Sequence, residues 1–425
     1  MLSPRLINDM LPSEFTDAQR IFITFLVFGL VNNILYVVIL SAAIDLVGSA
    51  TPKGVVLLAD IMPSLLIKAL APLVIHEVPY HTRIWTLIAL SFPGMLIVSL
   101  FFQSKVVVII GICMASASSG LGEVSFLSLT HFYPRNSAIG GFSTGTGGAG
   151  IAGSFLYLLL TNVLKLSAQK ALLLFAIIPF SHIIAYYLLL PPVISYHELS
   201  TGGELMDTSL ANDVDIDGIK QGYYVGMIRD LIAHAGETLN KIRPLVRPFM
   251  IPLSTVYIFE YVINQGISPT LLFPLHQLPT WLFKEYRDIY VFYGFLYQVG
   301  VFISRSSINF GIRIRQLYLL TFLQFVNVVI TLFQSLYSIP FPNIWGLSLL
   351  IFYEGLLGGF SYVNTFMSVS EQVSETSREF AMGSVGISDS FGIMIAGSFN
   401  LWLEPTLCDH QVSQGQNWCR LGQAI

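Results

Sequence analysis

Eleven largely apolar stretches, most of them about 20 residues long or longer, follow one another along this chain, and no other feature limits its folding so severely. A hydrocarbon layer about 30 Å thick is crossed by about 20 residues of helix, because a helix bonds all its backbone groups internally. The stretches fall near 21–47, 54–75, 84–102, 105–131, 138–163 and 170–191, then near 249–272, 287–304, 316–338, 343–367 and 380–404. Membrane β-strands would instead alternate inward and outward over about ten residues, and these runs are too long and too evenly apolar for that. Composition agrees: Asp, Glu, Lys and Arg make up only 11% of the 425 residues, against about 25% in soluble domains. Too few ions remain to cover a water-facing surface. That excludes a disordered chain, a basic nucleic-acid-binding face and an ordinary water-soluble enzyme, and it predicts an all-α polytopic membrane protein.

Lys and Arg are retained on the cytoplasmic side of membranes. With the N-terminus cytoplasmic, that side holds thirteen of them and the opposite side seven, with Lys68 left inside the membrane. The predicted division is therefore a cytoplasmic tail over 1–20, six spans over 21–191, a cytoplasmic linker over 192–248, five spans over 249–404 and a tail over 405–425 on the far side. Residues 1–20 carry Asp9, Glu14 and Asp17 without an apolar core, so they do not read as a secretory signal. Between Glu198 and Asp217 the linker has six acidic residues and no basic one, a solvated composition. Beyond it Ile228, Leu231, Ile232, Ala235, Leu239 and Ile242 recur at helical spacing, with Arg229, Asp230, Glu237 and Lys241 facing away. Such a helix lies on the membrane surface or packs on the protein's own cytoplasmic face. In the far-side tail, Cys408 and Cys419 are either a pair, in an oxidising compartment, or two free thiols.

Six spans, a linker and a second set of spans is the layout of a major facilitator type transporter, whose repeated halves enclose a site near the midplane. In that layout the first, fourth, seventh and tenth spans line a central cavity. Each carries polar groups at mid-depth: Asn32, Asn33 and Tyr36; Glu123; Glu260, Asn264 and Gln265; Glu354, Tyr362 and Asn364. The third and ninth have no charge near the middle. The second adds Asp60 and Lys68, two turns apart on one face, and the eleventh adds Asp389. An ionisable side chain at the bilayer centre costs about 3 kcal/mol or more, so it faces a partner or a wet cavity. Lys68 reads as the partner of a buried carboxylate, and Glu123, Glu260 and Glu354 as proton or solute contacts.

The stretch GTGGAG from Gly145 has the spacing of a dinucleotide fingerprint, but it lacks the preceding strand and sits inside an apolar helix. With Gly141 four residues before it, it reads as a close-packing face or a solute passage, as do Gly355 and Gly359. No HExxH, no paired Cys and His spacing and no GxSxG turn is present, so neither an enzyme nor a cofactor is expected.

Several strings resemble the battenin family of lysosomal membrane proteins and their fungal relatives. They include GLVNNILYVVILSAAID from Gly29, LLADIMPSLLIKALAPL from Leu57, SSGLGEVSFLSLTHFYPR from Ser118 and EYVINQG from Glu260. YQVGVFISRSSINFGIRIR from Tyr297, YEGLLGGFSYVNTF from Tyr353 and REFAMGSVGISDSFGI from Arg378 continue the series. The resemblance implies a major facilitator type fold of 6+5 spans in the vacuolar or lysosomal membrane. It implies a role in lumenal pH homeostasis and the handling of basic amino acids such as arginine, or of glycerophosphodiesters. Expected partners are membrane lipid, a small polar or zwitterionic solute and protons. A scaffold that acts on vacuolar pH through a membrane partner such as the proton pump is the alternative. Arg305, at the end of the eighth span and inside a matching string, is the candidate gate residue; Arg313 and Arg315 beside it read as positive-inside anchors.

Overall fold

The computed structural model describes residues 16–42, 53–75, 78–101, 104–192 and 236–421, and among them it is helical almost throughout. The helices are α1 (Asp17–Ser41), α2 (Lys53–Val74), α3 (Tyr80–Leu100), α4 (Lys105–Leu129), α5 (Arg135–Leu158) and α6 (Ala168–Leu189). After the linker come α7 (Gly236–Thr270), α8 (Tyr286–Arg305), α9 (Leu317–Tyr337), α10 (Ile344–Gln372) and α11 (Glu375–Ser413). Eight of these are long and apolar enough to cross a membrane. The other three, α2, α5 and α8, stand where the second, fifth and eighth spans were expected, with 22, 24 and 20 residues.

Local chemistry sets several starts. Thr16 and Gln19 form a reciprocal capping box at α1, Glu285 and Asp288 form another at α8, and Asn343 caps α10; each satisfies amides that have no partner within the first turn. Most of the expected surface helix, including Ile228, Leu231, Ile232 and Ala235, lies outside the described residues. Its remainder runs without a break into α7, where Leu239 is 65% exposed while Thr238 is buried. Leu239 therefore does not pack on the protein's own surface.

Glycines decide how closely the helices approach. A β-carbon on Gly29, Gly141 or Gly145 would strike the backbone carbonyl of Phe142, Phe22 or Leu26, so α1 and α5 are in backbone contact. In the second half Gly355 abuts the carbonyl of Tyr297, and Gly300 that of Phe352, which joins α8 to α10 in the same manner. The GTGGAG segment thus has two working faces: Gly145 meets α1, while Gly147 and Gly150 meet Phe302, Arg305 and Gln298 of α8 in the other half.

The apolar core has three parts. One lies within the first half (Ile34, Val38, Met95, Ile112, Phe175) and one within the second (Ile263, Phe283, Tyr293, Ile351). The third is shared: Phe25, Phe28, Phe126 and Phe142 pack in one cluster with Phe249, Tyr257, Phe366 and Met382. It lies towards the end of the bundle where α1 begins, so the two halves are sealed together on that near side. Arg135 of α5 donates to the Ser370 side chain and carbonyl at 2.7 and 2.8 Å, and Tyr80 donates to Glu379 at 2.5 Å, adding polar ties there. At the opposite end α11 continues to Ser413, and Cys408 is disulfide-bonded to Cys419.

Candidate functional site

A cavity of about 110 Å³ lies where the halves meet, room for about four waters at roughly 30 Å³ each. Its wall comes from α1, α2, α4, α5, α7, α8, α10 and α11. Helices α3, α6 and α9 contribute nothing, as the lack of mid-depth charge in α3 and α9 suggested.

Lys68 of α2 anchors one side. Its ammonium is 2.6 Å from Glu123 of α4 and 2.9 Å from Asp389 of α11, and it donates to Ser390 at 2.7 Å. All four side chains are buried. The cation therefore ties two helices of its own half to the other half. The hydroxyl of Tyr362 in α10 donates to the second oxygen of Glu123 at 3.1 Å, a further bond between halves.

Arg305 stands on the other side of Tyr362. Its guanidinium lies 4.1 Å from the centre of that ring and donates to Thr146 at 2.7 Å and Tyr257 at 2.8 Å. No carboxylate among the described residues lies within 4 Å of it, and its Nε has no hydrogen-bond partner. A buried cation is usually paired, and this one is held by hydroxyls and an aromatic face alone. The expected gate thus has a different surrounding: Arg305 does join the halves, through Thr146, but it bonds neither a carboxylate nor a helix end. Arg313 takes the carboxylate instead, at 3.2 Å from Glu371, and donates to Asn364 at 2.6 Å within its own half.

Glu260 of α7 and Glu354 of α10 have no cation within 4 Å among the described residues. Glu260 accepts from the Tyr297 hydroxyl, and its other oxygen is buried and unpartnered. Asn264 donates to the Glu260 carbonyl at 3.0 Å and to Glu354 at 2.9 Å; the second Glu354 oxygen is buried and unpartnered. Asp60 lines the cavity with one unpartnered oxygen. At the far end Tyr36 and Tyr261 approach at 3.4 Å between their hydroxyls, a weak closure.

Of the predicted residues, Asn33, Tyr36, Asp60, Lys68, Glu123, Glu260, Arg305, Tyr362 and Asp389 share this wall. Asn32 instead donates to the Ser119 carbonyl at 3.1 Å and fixes α1 to α4. Asn264 and Glu354 stand one layer behind the wall, and Gln265 is not part of it. Asn364 of α10 faces the loop before α9 instead, and its side-chain oxygen accepts from Arg313 at 2.6 Å and from the Ile314 amide at 2.8 Å. Sequence reasoning missed Thr146, Tyr257, Tyr261, Tyr297 and Gln298. The spacing of Tyr257, Glu260, Tyr261 and Asn264 along one face of α7 was the available signal. A larger crevice of about 710 Å³ opens at the near side around Lys241, Ser374 and Glu379, but none of the predicted residues lines it.

Two helical sets closed around a buried polar cavity make up a fold of major facilitator type. A bacterial homologue of the iron transporter ferroportin, solved in an outward-facing state, has a similar fold, with a TM-score of 0.56 at 14% identity over 96% of both chains. The chain belongs to the CLN3 protein family, the battenin family of the sequence expectation, whose model matches residues 23–410. It is 58% identical over 407 residues to Protein BTN1 of Debaryomyces hansenii, covering 96% of this chain and 98% of that one. It is 57% identical over 426 residues to Protein BTN1 of Candida albicans, covering 96% and 99%.

Proposed function

We propose that this chain is an alternating-access transporter of the vacuolar or lysosomal membrane and that its solute carries an anionic group. The observation behind this reading is Arg305: a guanidinium in the wall of a cavity between the two halves, bonded to Thr146 and Tyr257, with no carboxylate among the described residues within 4 Å. Such a fork is matched to a carboxylate or a phosphate. Both solutes implied by the family resemblance bear one: the carboxylate of arginine and the phosphodiester of a glycerophosphodiester. Asp60 and Glu260 in the same wall are the acids available to a solute's positive end. All eleven helices cross the membrane in this reading, with α1 starting in the cytoplasm and the tail after α11 in the lumen. The shared core then seals the cytoplasmic side, so solute enters through the Tyr36 and Tyr261 end. Coupling of this movement to protons supplies the role in lumenal pH.

Binding is tested by thermal unfolding of the purified protein with arginine or with glycerophosphocholine. A ligand at about 100 times its Kd stabilises by about 2.7 kcal/mol. One of the two solutes is expected to do so in the unaltered protein and not in Arg305→Gln, while Gln265→Ala, outside the wall, keeps the effect. Stabilisation by neither solute, or by both equally in Arg305→Gln, overturns the proposal and favours the scaffold alternative.

A further inference from the structure

The buried acids divide into two groups by what surrounds them, and the division assigns them different work. Glu123 and Asp389 share the ammonium of Lys68 at 2.6 and 2.9 Å, so each has a counter-charge in contact. Glu354 is 1% exposed, accepts a single neutral bond from Asn264 at 2.9 Å and leaves its other oxygen buried without a partner. No cation among the described residues lies within 4 Å of it.

The helices packed on α10 offer it little. The described side chains of α9 include no charged one, and α5 brings only Arg135, bound to Ser370. Among the described side chains of α8 the charged groups are Asp288 in the capping box and Arg305, the latter committed to Thr146 and Tyr257; Tyr297 donates to Glu260. On α7 stand Tyr257, Glu260 and Tyr261, and beyond α10 the start of α11 carries Glu375, Arg378 and Glu379 at the near side. Glu260, whose carboxylate abuts Gly358 one turn along α10 from Glu354, has what Glu354 lacks: a hydroxyl donor and a place in the cavity wall beside Arg305. An ionised carboxylate with one neutral donor and a like charge for a neighbour is costly in a dry interior, and a bound proton removes that cost.

We infer that Glu354 is a proton-binding residue of the transport cycle, exchanging its proton with Glu260 at the cavity wall, while the Lys68 triad stays charged. In the exchange the Glu354 O–H bond breaks as an O–H bond forms on Glu260, whose own O–H then breaks to water in the cavity; uptake runs the same steps in reverse, and Asn264, bonded to the Glu260 carbonyl and to Glu354, ties the two helices together. The inference deepens the transporter reading and rests on it for its role in the cycle, though not for the proton itself.

Infrared spectroscopy of the full chain in lipid nanodiscs at neutral pH tests it without a solute. Among the carbonyl stretches of protonated carboxylic acids in the unaltered protein, one component is expected to be lost in Glu354→Gln and kept in both Glu123→Gln and Asp60→Asn. Glu354→Asp, which preserves the acid should the glutamine variant fold poorly, is expected to move that component. Stretches that all persist unchanged in both Glu354 variants, or their absence from the unaltered protein, overturn the inference. In proteoliposomes, Glu354→Gln is expected to lose proton movement while exchange of labelled solute continues; retained proton movement overturns it too. Absence of any solute exchange by the unaltered protein sinks the transporter reading and leaves the infrared result standing.

Discussion

Replacing Lys68 with Met keeps most of its length and removes the one cation that Glu123 and Asp389 share. The two contacts, at 2.6 and 2.9 Å, are each worth about 6 kcal/mol of attraction at an effective dielectric of about 20. Most of that is offset by the cost of holding three ions out of water, so the net loss is set by the two carboxylates left without a counter-charge. Removing one partner of a buried pair costs about 3–5 kcal/mol, and Lys68 is 2% exposed, out of reach of screening by bulk solvent. Lys68→Met is expected to lose stability in that range, read from denaturant or thermal unfolding of the purified protein in one detergent. The informative variant is the neutral triple, Lys68→Met with Glu123→Gln and Asp389→Asn, which removes the ions together and is expected to recover most of the loss. If the single variant loses less than about 1 kcal/mol, or the triple is no more stable than the single, the triad is not the ion-pair junction described.

Two further changes probe the frame around the cavity. Gly145→Leu drives a side chain into the Leu26 carbonyl and is expected to cost at least the roughly 1–3 kcal/mol of an overpacked core; the folded yield on size-exclusion chromatography checks it, with Gly294→Ala, where a β-carbon meets nothing within 4 Å, as the tolerated control. Asn364→Ala leaves the Ile314 amide and one Arg313 contact unpaired; a loss of about 1–3 kcal/mol, with solute binding unchanged, is expected in the same unfolding and binding measurements.

The fold was open to sequence reading because apolar length and sparse charge are properties of the chain itself. Two helices of lesser apolarity show why the reading still needed judgement, α5 being rich in glycine and α8 in tyrosine, whereas α2 is as apolar as α1 in spite of Asp60 and Lys68. Depth along a helix was legible too, and it correctly marked Lys68, Glu123, Glu260 and Asp389 as buried. Which way a mid-depth residue points was not. Asn364 follows Tyr362 by two residues, about 200° round the helix, so Tyr362 meets the cavity and Asn364 the Arg313 loop. Nor does sequence say which acid meets Lys68. Asp60 shares its helix face, yet the partners are Glu123 and Asp389, the latter 321 residues away. Arg305 reads as a gate residue because it stands at the predicted cytoplasmic end of α8; only its neighbours Thr146, Tyr257 and Tyr362 reveal a cation aimed into the cavity.

The account stands most directly on solute crossing a bilayer through this cavity. Uptake of labelled glycerophosphocholine and labelled arginine into proteoliposomes, with the unaltered protein and with Arg305→Gln at matched incorporation, measures it. The account predicts time-dependent, saturable uptake of one of them by the unaltered protein and a loss of tenfold or more in the variant, the effect of about 1.4 kcal/mol of lost binding. Uptake no greater than in protein-free vesicles, or equal uptake by the variant, contradicts it.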